Sequence, residues 1–236
     1  MTLPKLDVVT YEMTQPSTEK KILYRPFKVK EEKILLMAKE SGDKIDIVNA
    51  VKQVVSNCIL SEGFDVNKIP LFDLEYFFIK LRSASVGNIC RFNIKDKDDG
   101  IKYEIEVNLD KVEVEFPENV DKKILITEDI GVVMKYPDAS LSDKLMGIKS
   151  STDLLYNMVE NCVDYVFTKD DTFPWMDSTP EEREEFLDSL SGKEYVKMTE
   201  FFSAVPKINH IVTYNNSEGK EKKVIFRSLD DFFDLG

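Results

Sequence analysis

The sequence contains few of the residues on which common enzyme motifs depend. It has nine glycines and one histidine among 236 residues, and it lacks the G-x-x-x-x-G-K-[ST], G-x-G-x-x-G, G-x-S-x-G and H-E-x-x-H patterns. So little glycine leaves few places where the backbone could approach a phosphate closely. The single imidazole, His210, has apolar neighbours in a predicted strand, which is typical of a structural histidine. We therefore predict no cofactor and no catalytic residue.

Cysteine is scarce as well. The three cysteines, Cys58, Cys90 and Cys162, are an odd number at wide spacing, so they predict buried thiols and no disulfide framework. Together with His210 they are four potential zinc ligands, but no two of them lie within a few residues of each other. Structural zinc sites usually take their ligands in close pairs, and we predict no metal site.

A membrane span, a secretory signal and a positive net charge are also missing. No run of about 18 apolar residues occurs, and the first residues lack the basic-then-apolar order of a signal peptide. The 32 Lys and Arg residues stand against 44 Asp and Glu, a formal charge of −12, which opposes binding to nucleic-acid phosphates. These absences predict a cytosolic protein with neither a membrane nor a nucleic acid as its partner.

What the sequence does contain indicates an α+β fold. Hydrophobic residues make up 42% of the chain and aromatic residues 11%, enough for one substantial core or two modest ones. Apolar residues at helical spacing predict helices in both halves, and alternating apolar residues predict antiparallel hairpins. The predicted helices cover 30–40, 43–60, 71–82, 150–168, 181–190 and 193–205, and the hairpins begin at Asn88 and Ile208.

We divide the chain into three predicted parts. An extended arm over 1–20 precedes a helix-plus-antiparallel-sheet domain over 21–137, and a helical region over 138–236 ends in a hairpin and an acidic aromatic tail. The stretch VVSNCI around Cys58 is similar to MVENCV around Cys162, so the two halves are either two similar helix-hairpin units or unrelated units that share a common pattern.

Local signals predict details of the first and third helices. Ile34, Leu35, Met37 and Ala38 share a face that we expect to be buried. In the third helix Asp73 is a candidate N-cap. The polar segment 83–88 is expected to leave that helix, with Gly87 as its stop.

Paired carboxylates and two aromatic segments are the remaining candidates for function. The pairs are Asp98-Asp99, Asp170-Asp171 and Asp230-Asp231, and each borders a turn or a helix start, which favours solvated turns and caps. A small carboxylate-based hydrolase is the alternative, and it requires two converging carboxylates with separated pKa values.

The aromatic segments are FPWM at 173–176 and the acidic tail SLDDFFDLG. The tail, with Phe232 and Phe233, is either a docking segment for another protein or a last helix that covers the core. Trp175 in the FPWM loop raises the same two possibilities.

Two stretches, YRPFKVKEEKILLMAKES at 24–41 and IPLFDLEYFFIKLRSASVGN at 69–88, together carry a family resemblance. The pattern is an aromatic-basic strand, then K-E-E-K-x-L-L, then D-x-E-x-x-F-x-x-L-R-x-x-S-x-G. The matching positions are Phe27, Lys30, Glu31, Glu32, Lys33, Leu35, Leu36, Asp73, Glu75, Phe78, Leu81, Arg82, Ser85 and Gly87. Over about residues 20 to 115 the chain resembles the baseplate protein family of T-even-type contractile-tailed bacteriophages, which includes baseplate hub subunits and hub assembly catalysts, often described as tail assembly chaperones.

The resemblance implies a phage morphogenesis protein that acts in the host cytoplasm without cofactor or catalysis. Its partners would be other baseplate hub or tape-measure proteins, and it would be either a transient assembly chaperone or a hub subunit retained in the virion tail. Lys30, Lys33 and Arg82 would be available to a partner, with Trp175, Phe232 and Phe233 as the aromatic candidates. The oligomeric state stays open at this point.

Overall fold

Helices and small antiparallel sheets make up the chain, which confirms the predicted α+β class. The computed structural model describes residues 7–118, 120–145 and 147–233, apart from the side chains of Lys44, Asp230 and Phe233. The helices are α1 Val29–Ser41, α2 Lys44–Cys58, α3 Leu71–Val86, α4 Leu141–Lys144, α5 Ser151–Cys162, α6 Pro180–Asp188, α7 Gly192–Glu200 and α8 Leu229–Phe233. The strands are β1 Tyr11–Thr14, β2 Lys21–Tyr24, β3 Ile89–Lys95, β4 Lys102–Asn108, β5 Val114–Glu115, β6 Lys123–Leu125, β7 Gly131–Met134, β8 Val163–Phe167, β9 Thr172–Pro174, β10 Lys207–Ile208, β11 His210–Asn215 and β12 Glu221–Phe226.

The chain divides into two compact units. The first contains residues 1–115 and 207–236, and the second contains residues 116–206. Residue 137, where the sequence suggested a boundary, lies inside the second unit, and the chain returns to the first unit when β10 pairs antiparallel with β5.

In the first unit, β1 and β2 form an antiparallel hairpin that is followed by α1, α2 and α3. The predicted arm over 1–20 therefore contains a strand, while residues 1–6 lie outside the described part of the chain. α2 buries Val51, Val54, Val55 and Cys58, as its apolar spacing predicted.

Two expectations about the ends of helix α3 are wrong: Asp73 is not its N-cap, and the helix does not end before residue 83. It begins at Leu71 after Pro70, and Asp73 is buried, where it accepts hydrogen bonds from Gln15 Nε2 (2.7 Å) and the Ser17 backbone N–H (3.0 Å). Burial raises the pKa of the Asp73 carboxyl, although these hydrogen bonds oppose the rise. Asp73 therefore ties α3 to the turn of the N-terminal hairpin and is not an N-cap.

The C-terminal end of α3 extends further than the polar composition suggested. The helix continues to Val86 and ends at Gly87, whose φ of +134° suits glycine, so the predicted stop is confirmed. The hydroxyl of Ser83 donates to Asp110 Oδ1 (2.6 Å) and that of Ser85 donates to the Leu81 carbonyl (2.5 Å). Because both hydroxyls find partners without disturbing the backbone, the serines do not end the helix.

The two predicted hairpins are confirmed as β3–β4 and β11–β12, both antiparallel. They contact each other through Phe92 and Phe226, with ring centroids 4.8 Å apart, and the Tyr214 hydroxyl donates to Asp96 Oδ2 (2.6 Å) near the hairpin ends. This hydrogen bond raises the pKa of Tyr214 to about 12. Ile79, Leu109, Ile208, Phe226 and Phe232 belong to the hydrophobic cluster of this part of the unit.

The second unit contains a four-stranded antiparallel sheet in the order β6-β7-β8-β9. The single helix predicted over 150–168 is wrong in its last third, because the chain leaves α5 at Cys162 and continues as strand β8. The β-branched and aromatic residues of β8 pair with β7, and this pairing outweighs the helical spacing. Helix α6 begins with a capping box between Thr179 and Glu182.

Both units contain the same local arrangement at the similar stretches VVSNCI and MVENCV. α2 ends at Cys58 and α5 ends at Cys162, and in each case the next residue pairs antiparallel with the second strand of the preceding hairpin. The Arg25 backbone N–H donates to the Cys58 carbonyl (3.0 Å), and the Lys135 backbone N–H donates to the Cys162 carbonyl (2.7 Å). The two stretches therefore share one local arrangement, which both alternatives, similar units or unrelated units with a common pattern, accommodate.

A buried ion pair between Arg25 and Glu31 connects three elements of the first unit. Arg25 Nη2 lies 2.9 Å from Glu31 Oε1 and also donates to the Asn57 carbonyl at the end of α2 (2.9 Å). Glu31 Oε2 accepts the Lys28 backbone N–H (2.9 Å) at the start of α1. Burial alone would raise the pKa of Glu31, but hydrogen bonds from Arg25, Lys28 and Lys30 outweigh it and leave the pKa below its ordinary value of 4.5.

We predict that Glu31→Gln lowers the free energy of unfolding at pH 7 by about 3 kcal/mol, because it leaves a buried guanidinium without its counter-charge. Glu32→Gln is the matched control, since Glu32 is exposed in the same turn of α1, and it should change stability by less than about 0.5 kcal/mol. Urea unfolding measures both.

The pH dependence follows from the lowered pKa of Glu31. A depressed folded-state pKa contributes stability that is fully present above the unfolded value of 4.5 and is lost as the pH falls through the folded value. The difference in free energy of unfolding between wild type and Glu31→Gln should therefore be constant above pH 4.5 and shrink as the pH falls below 4.5. An equal loss in Glu31→Gln and Glu32→Gln would contradict the buried pair.

Candidate partner-binding surface

Helix α1 has a buried side that carries part of the resembling pattern. Glu31, Leu35 and Ala38 are buried, and the Phe27 backbone N–H just before the helix donates to Ser85 Oγ (2.9 Å). Phe27 and Ser85 come from the two resembling stretches, so the structure brings these stretches together inside the first unit. These contacts stabilise the fold, and the residues that make them are buried or half-buried.

The opposite side of α1 is apolar and faces solvent. Val29 is 80% exposed, Leu36 is 54% exposed and Met37 is 60% exposed, and the charged side chains of Lys33 and Glu40 lie among them. Within the described part of the chain, each other helix exposes at most one large apolar side chain. Helices usually turn such residues inward, so this exposed face is a candidate interaction surface.

The expectation that Met37 is buried is wrong. At 100° per residue the buried side of α1 is a narrow arc through Glu31, Leu35 and Ala38. Met37 projects on the solvent side of that arc, close to Leu36 and Lys33. A helical projection centred on Leu35 would have shown this from the sequence.

An open groove between α1 and α2 adjoins this face. It holds about 300 Å³ and is lined by Ile34, Met37, Ala38, Asp46, Asn49, Ala50 and Gln53. The lining has one charged side chain, and a low density of charge is typical of the centre of protein interfaces. Methionine adapts its shape to different partners, which suits Met37, a lining residue of this groove, to contact with another protein.

The basic candidates Lys30, Lys33 and Arg82 have different surroundings. Lys30 and Lys33 are exposed on α1, and Lys30 Nζ lies 3.2 Å from Glu31 Oε1. Arg82 is half-buried on α3. The two lysines are therefore the more accessible cations of this group.

Trp175 lies in the interior of the second unit. Its indole Nε1 donates to the Glu160 carbonyl (2.7 Å), and its ring meets the edge of Phe186 with centroids 5.8 Å apart. The neighbouring Phe173 and Met176 are the exposed apolar residues of this loop. The buried indole therefore connects the segment after β9 to α5 and does not face solvent.

The C-terminal segment forms helix α8, and Phe232 has no exposed surface. Its ring lies 5.5 Å from that of Phe226, and Asp231 Oδ2 accepts the backbone N–H of Arg227 (2.8 Å). These contacts favour the core-covering alternative for Phe232. The side chain of Phe233 lies outside the described part of the chain.

Burial or hydrogen bonds within the fold shift the pKa values of the thiol, imidazole and carboxyl groups considered above as candidates for metal binding or catalysis. Cys58 and Cys162 are free and buried, as predicted, and burial raises their pKa values to about 11 and about 12. Burial, with Lys111 and Lys80 nearby, lowers the pKa of His210. A hydrogen bond from the Tyr103 hydroxyl (2.6 Å) lowers the pKa of Asp99 well below its ordinary value.

The described residues contain neither a cluster of metal ligands nor a membrane-spanning helix. No group of three or more His, Cys, Asp or Glu among them could hold a metal ion. None of the described helices is long and apolar enough to cross a membrane.

Comparison with known protein families matches nearly the whole chain. Residues 8–234 match a family model described as T4 bacteriophage base plate protein. No curated protein and no solved structure matches the chain. The matched range covers nearly the whole chain and includes both compact units.

We predict that Phe232→Ala lowers the free energy of unfolding by about 3–5 kcal/mol, because it leaves a cavity in the core beside Phe226. Phe173→Ala removes the same side chain from a position that is 50% exposed and should change stability by less than about 0.5 kcal/mol. Urea unfolding of both variants compares the two losses. A stable Phe232→Ala that binds partners weakly would instead assign Phe232 to docking.

Proposed function

The chain belongs to the T4 bacteriophage base plate protein family, and we propose that it is a non-enzymatic tail morphogenesis protein that binds other tail proteins during baseplate hub assembly. Its partners in this proposal are baseplate hub or tape-measure proteins, which it meets in the host cytoplasm. Two roles follow from the same binding activity. As a chaperone it leaves before the tail is complete, and as a hub subunit it stays in the virion.

The exposed apolar face of α1 is the observation that carries this proposal. Val29, Leu36 and Met37 stand on a helix whose other side is held by the buried Glu31. A surface fixed in this way loses little conformational entropy when a partner binds. An exposed apolar patch on a rigid element is typical of a protein interaction site.

Lys30 and Lys33 provide the polar rim of the proposed site. Both ammonium groups are exposed beside the apolar face, where basic side chains chiefly affect the rate and specificity of association. We retain Arg82 as a weaker candidate because it is half-buried.

The surroundings of two buried carboxyl groups with shifted pKa values, Asp73 and Glu31, support a non-enzymatic role. Asp73, whose pKa is raised by burial, faces Gln15 and Ser17 and not a second carboxylate. Glu31, whose pKa is lowered, is paired with Arg25. Each shift accompanies a contact that holds structural elements together.

We predict that the chain recovers hub or tape-measure proteins from infected-cell lysate, which a pull-down with mass spectrometry measures. Quantifying the chain in purified tails then separates the two roles. A fixed number of copies in tails supports the hub subunit, and its absence from tails supports the chaperone. Recovery of no tail protein, together with absence from tails, would overturn the proposal.

A paired substitution tests the basic rim. Lys30→Ala with Lys33→Ala should reduce the recovery of tail proteins several-fold, because it removes the charges beside the apolar face. Lys95→Ala with Lys102→Ala is the control, since both lysines are exposed on the β3–β4 hairpin. Equal recovery by the two variants would remove Lys30 and Lys33 from the binding site.

A further inference from the structure

The solvent face of α1 carries charges arranged symmetrically about its apolar centre. Lys33 precedes Leu36 by three residues, and Glu40 follows Met37 by three residues. All four side chains are exposed on the same side of the helix. Lys33 and Glu40 form no ion pair with the other described side chains of the chain.

Resting on the face that the proposed function assigns to tail proteins, we propose that, in the absence of such a partner, this face forms an antiparallel contact with α1 of a second copy of the chain. A two-fold axis between Leu36 and Met37 sets Lys33 of one copy beside Glu40 of the other, and the reverse pair forms at the same time. Leu36 of each copy then meets Met37 of the other. Such a contact is isologous, since the same patch serves on both sides.

The charges select this direction of pairing. In a parallel arrangement Lys33 would face the Lys33 of the second copy and Glu40 would face Glu40, and like charges across an interface are repulsive. In the antiparallel register Lys30 also comes near Asp43 of the second copy. Two distinct pairs of opposite charge, each formed twice by symmetry, therefore agree on one register.

The local charge balance permits two copies to approach. The whole chain has a formal charge of −12, which opposes self-association. Residues 29–58, which span α1 and α2, contain five lysines and five acidic residues and are neutral. Charge further away is largely screened over a Debye length of about 10 Å at 0.1 M salt.

The size of the face indicates a weak dimer. α1 has 13 residues and is about 20 Å long, and each copy contributes three exposed large apolar side chains. An interface of this extent lies at the low end of specific protein contacts. We expect a dissociation constant on the order of micromolar.

Sedimentation equilibrium of the purified full chain over a range of concentrations tests the proposal. Wild type should dimerise reversibly, and Lys33→Glu should weaken the dimer about tenfold because each of its two ion pairs becomes a repulsion. Glu40→Lys should weaken it similarly. The double variant with Lys33→Glu and Glu40→Lys restores both pairs in exchanged positions and should recover the wild-type affinity.

Controls separate this surface from other effects. Lys95→Glu changes an exposed lysine on β3 by the same charge and should leave the dimer unchanged. Leu36→Ala should weaken the dimer through lost apolar contact, and circular dichroism checks that each variant is folded. A monomer at all concentrations, or a dimer indifferent to Lys33→Glu, would overturn the proposal.

The exchanged double variant also distinguishes a second copy from another tail protein. A different partner has its own fixed charges, so it would not regain affinity when Lys33 and Glu40 are exchanged. If both the single and the double variant lose recovery of tail proteins while neither changes self-association, this face belongs to that partner and the dimer proposal fails. Since self-association is measured on the purified chain alone, its outcome is independent of whether tail proteins are captured.

Discussion

The buried ion pair between Arg25 and Glu31 is the contact on which the arrangement of the first unit depends. The guanidinium lies at the C-terminal end of α2, where it bonds the Asn57 carbonyl, and the carboxylate lies at the N-terminal end of α1. Each charge therefore has the sign that the nearby helix terminus favours. Because both groups are buried, neither can be left alone without a large desolvation cost, and β2, α1 and α2 are held in one geometry.

This anchoring explains why α1 can expose apolar residues. An isolated helix of 13 residues is marginal in water, and helices of this length usually depend on a wide buried apolar face. α1 instead buries a narrow arc and compensates with the ion pair and with the hydrogen bond from the Lys28 backbone N–H to Glu31. In the second unit the chain between β7 and α5 forms the four-residue helix α4, so within the described residues a long helix with several exposed apolar side chains occurs in the first unit.

Local signals in the sequence predicted individual helices and strands better than the contacts between residues distant in the sequence. The hairpins β3–β4 and β11–β12, the burial of α2 and the cap at Thr179 follow from alternation, helical spacing and capping chemistry. The buried role of Asp73 depends on Gln15 and Ser17, more than 50 positions away, and strand β8 depends on pairing with β7. Contacts between distant residues cannot be predicted from the local sequence pattern. The exposed position of Met37 was accessible from helical geometry, since it follows from the angle to Leu35.

The two sides of α1 divide the K-E-E-K-x-L-L pattern between residues that stabilise the fold and residues that face solvent. Glu31, Leu35 and the Phe27–Ser85 bond lie on the structural side, and substitution there would change the fold before it changed binding. Leu36 stands next to Leu35 in the same K-E-E-K-x-L-L pattern, yet it is 54% exposed. A leucine that is more than half exposed contributes only part of its burial energy to the fold. Its side chain gains the rest only when another surface covers it, which is why the solvent face of α1 is the place to expect an interface.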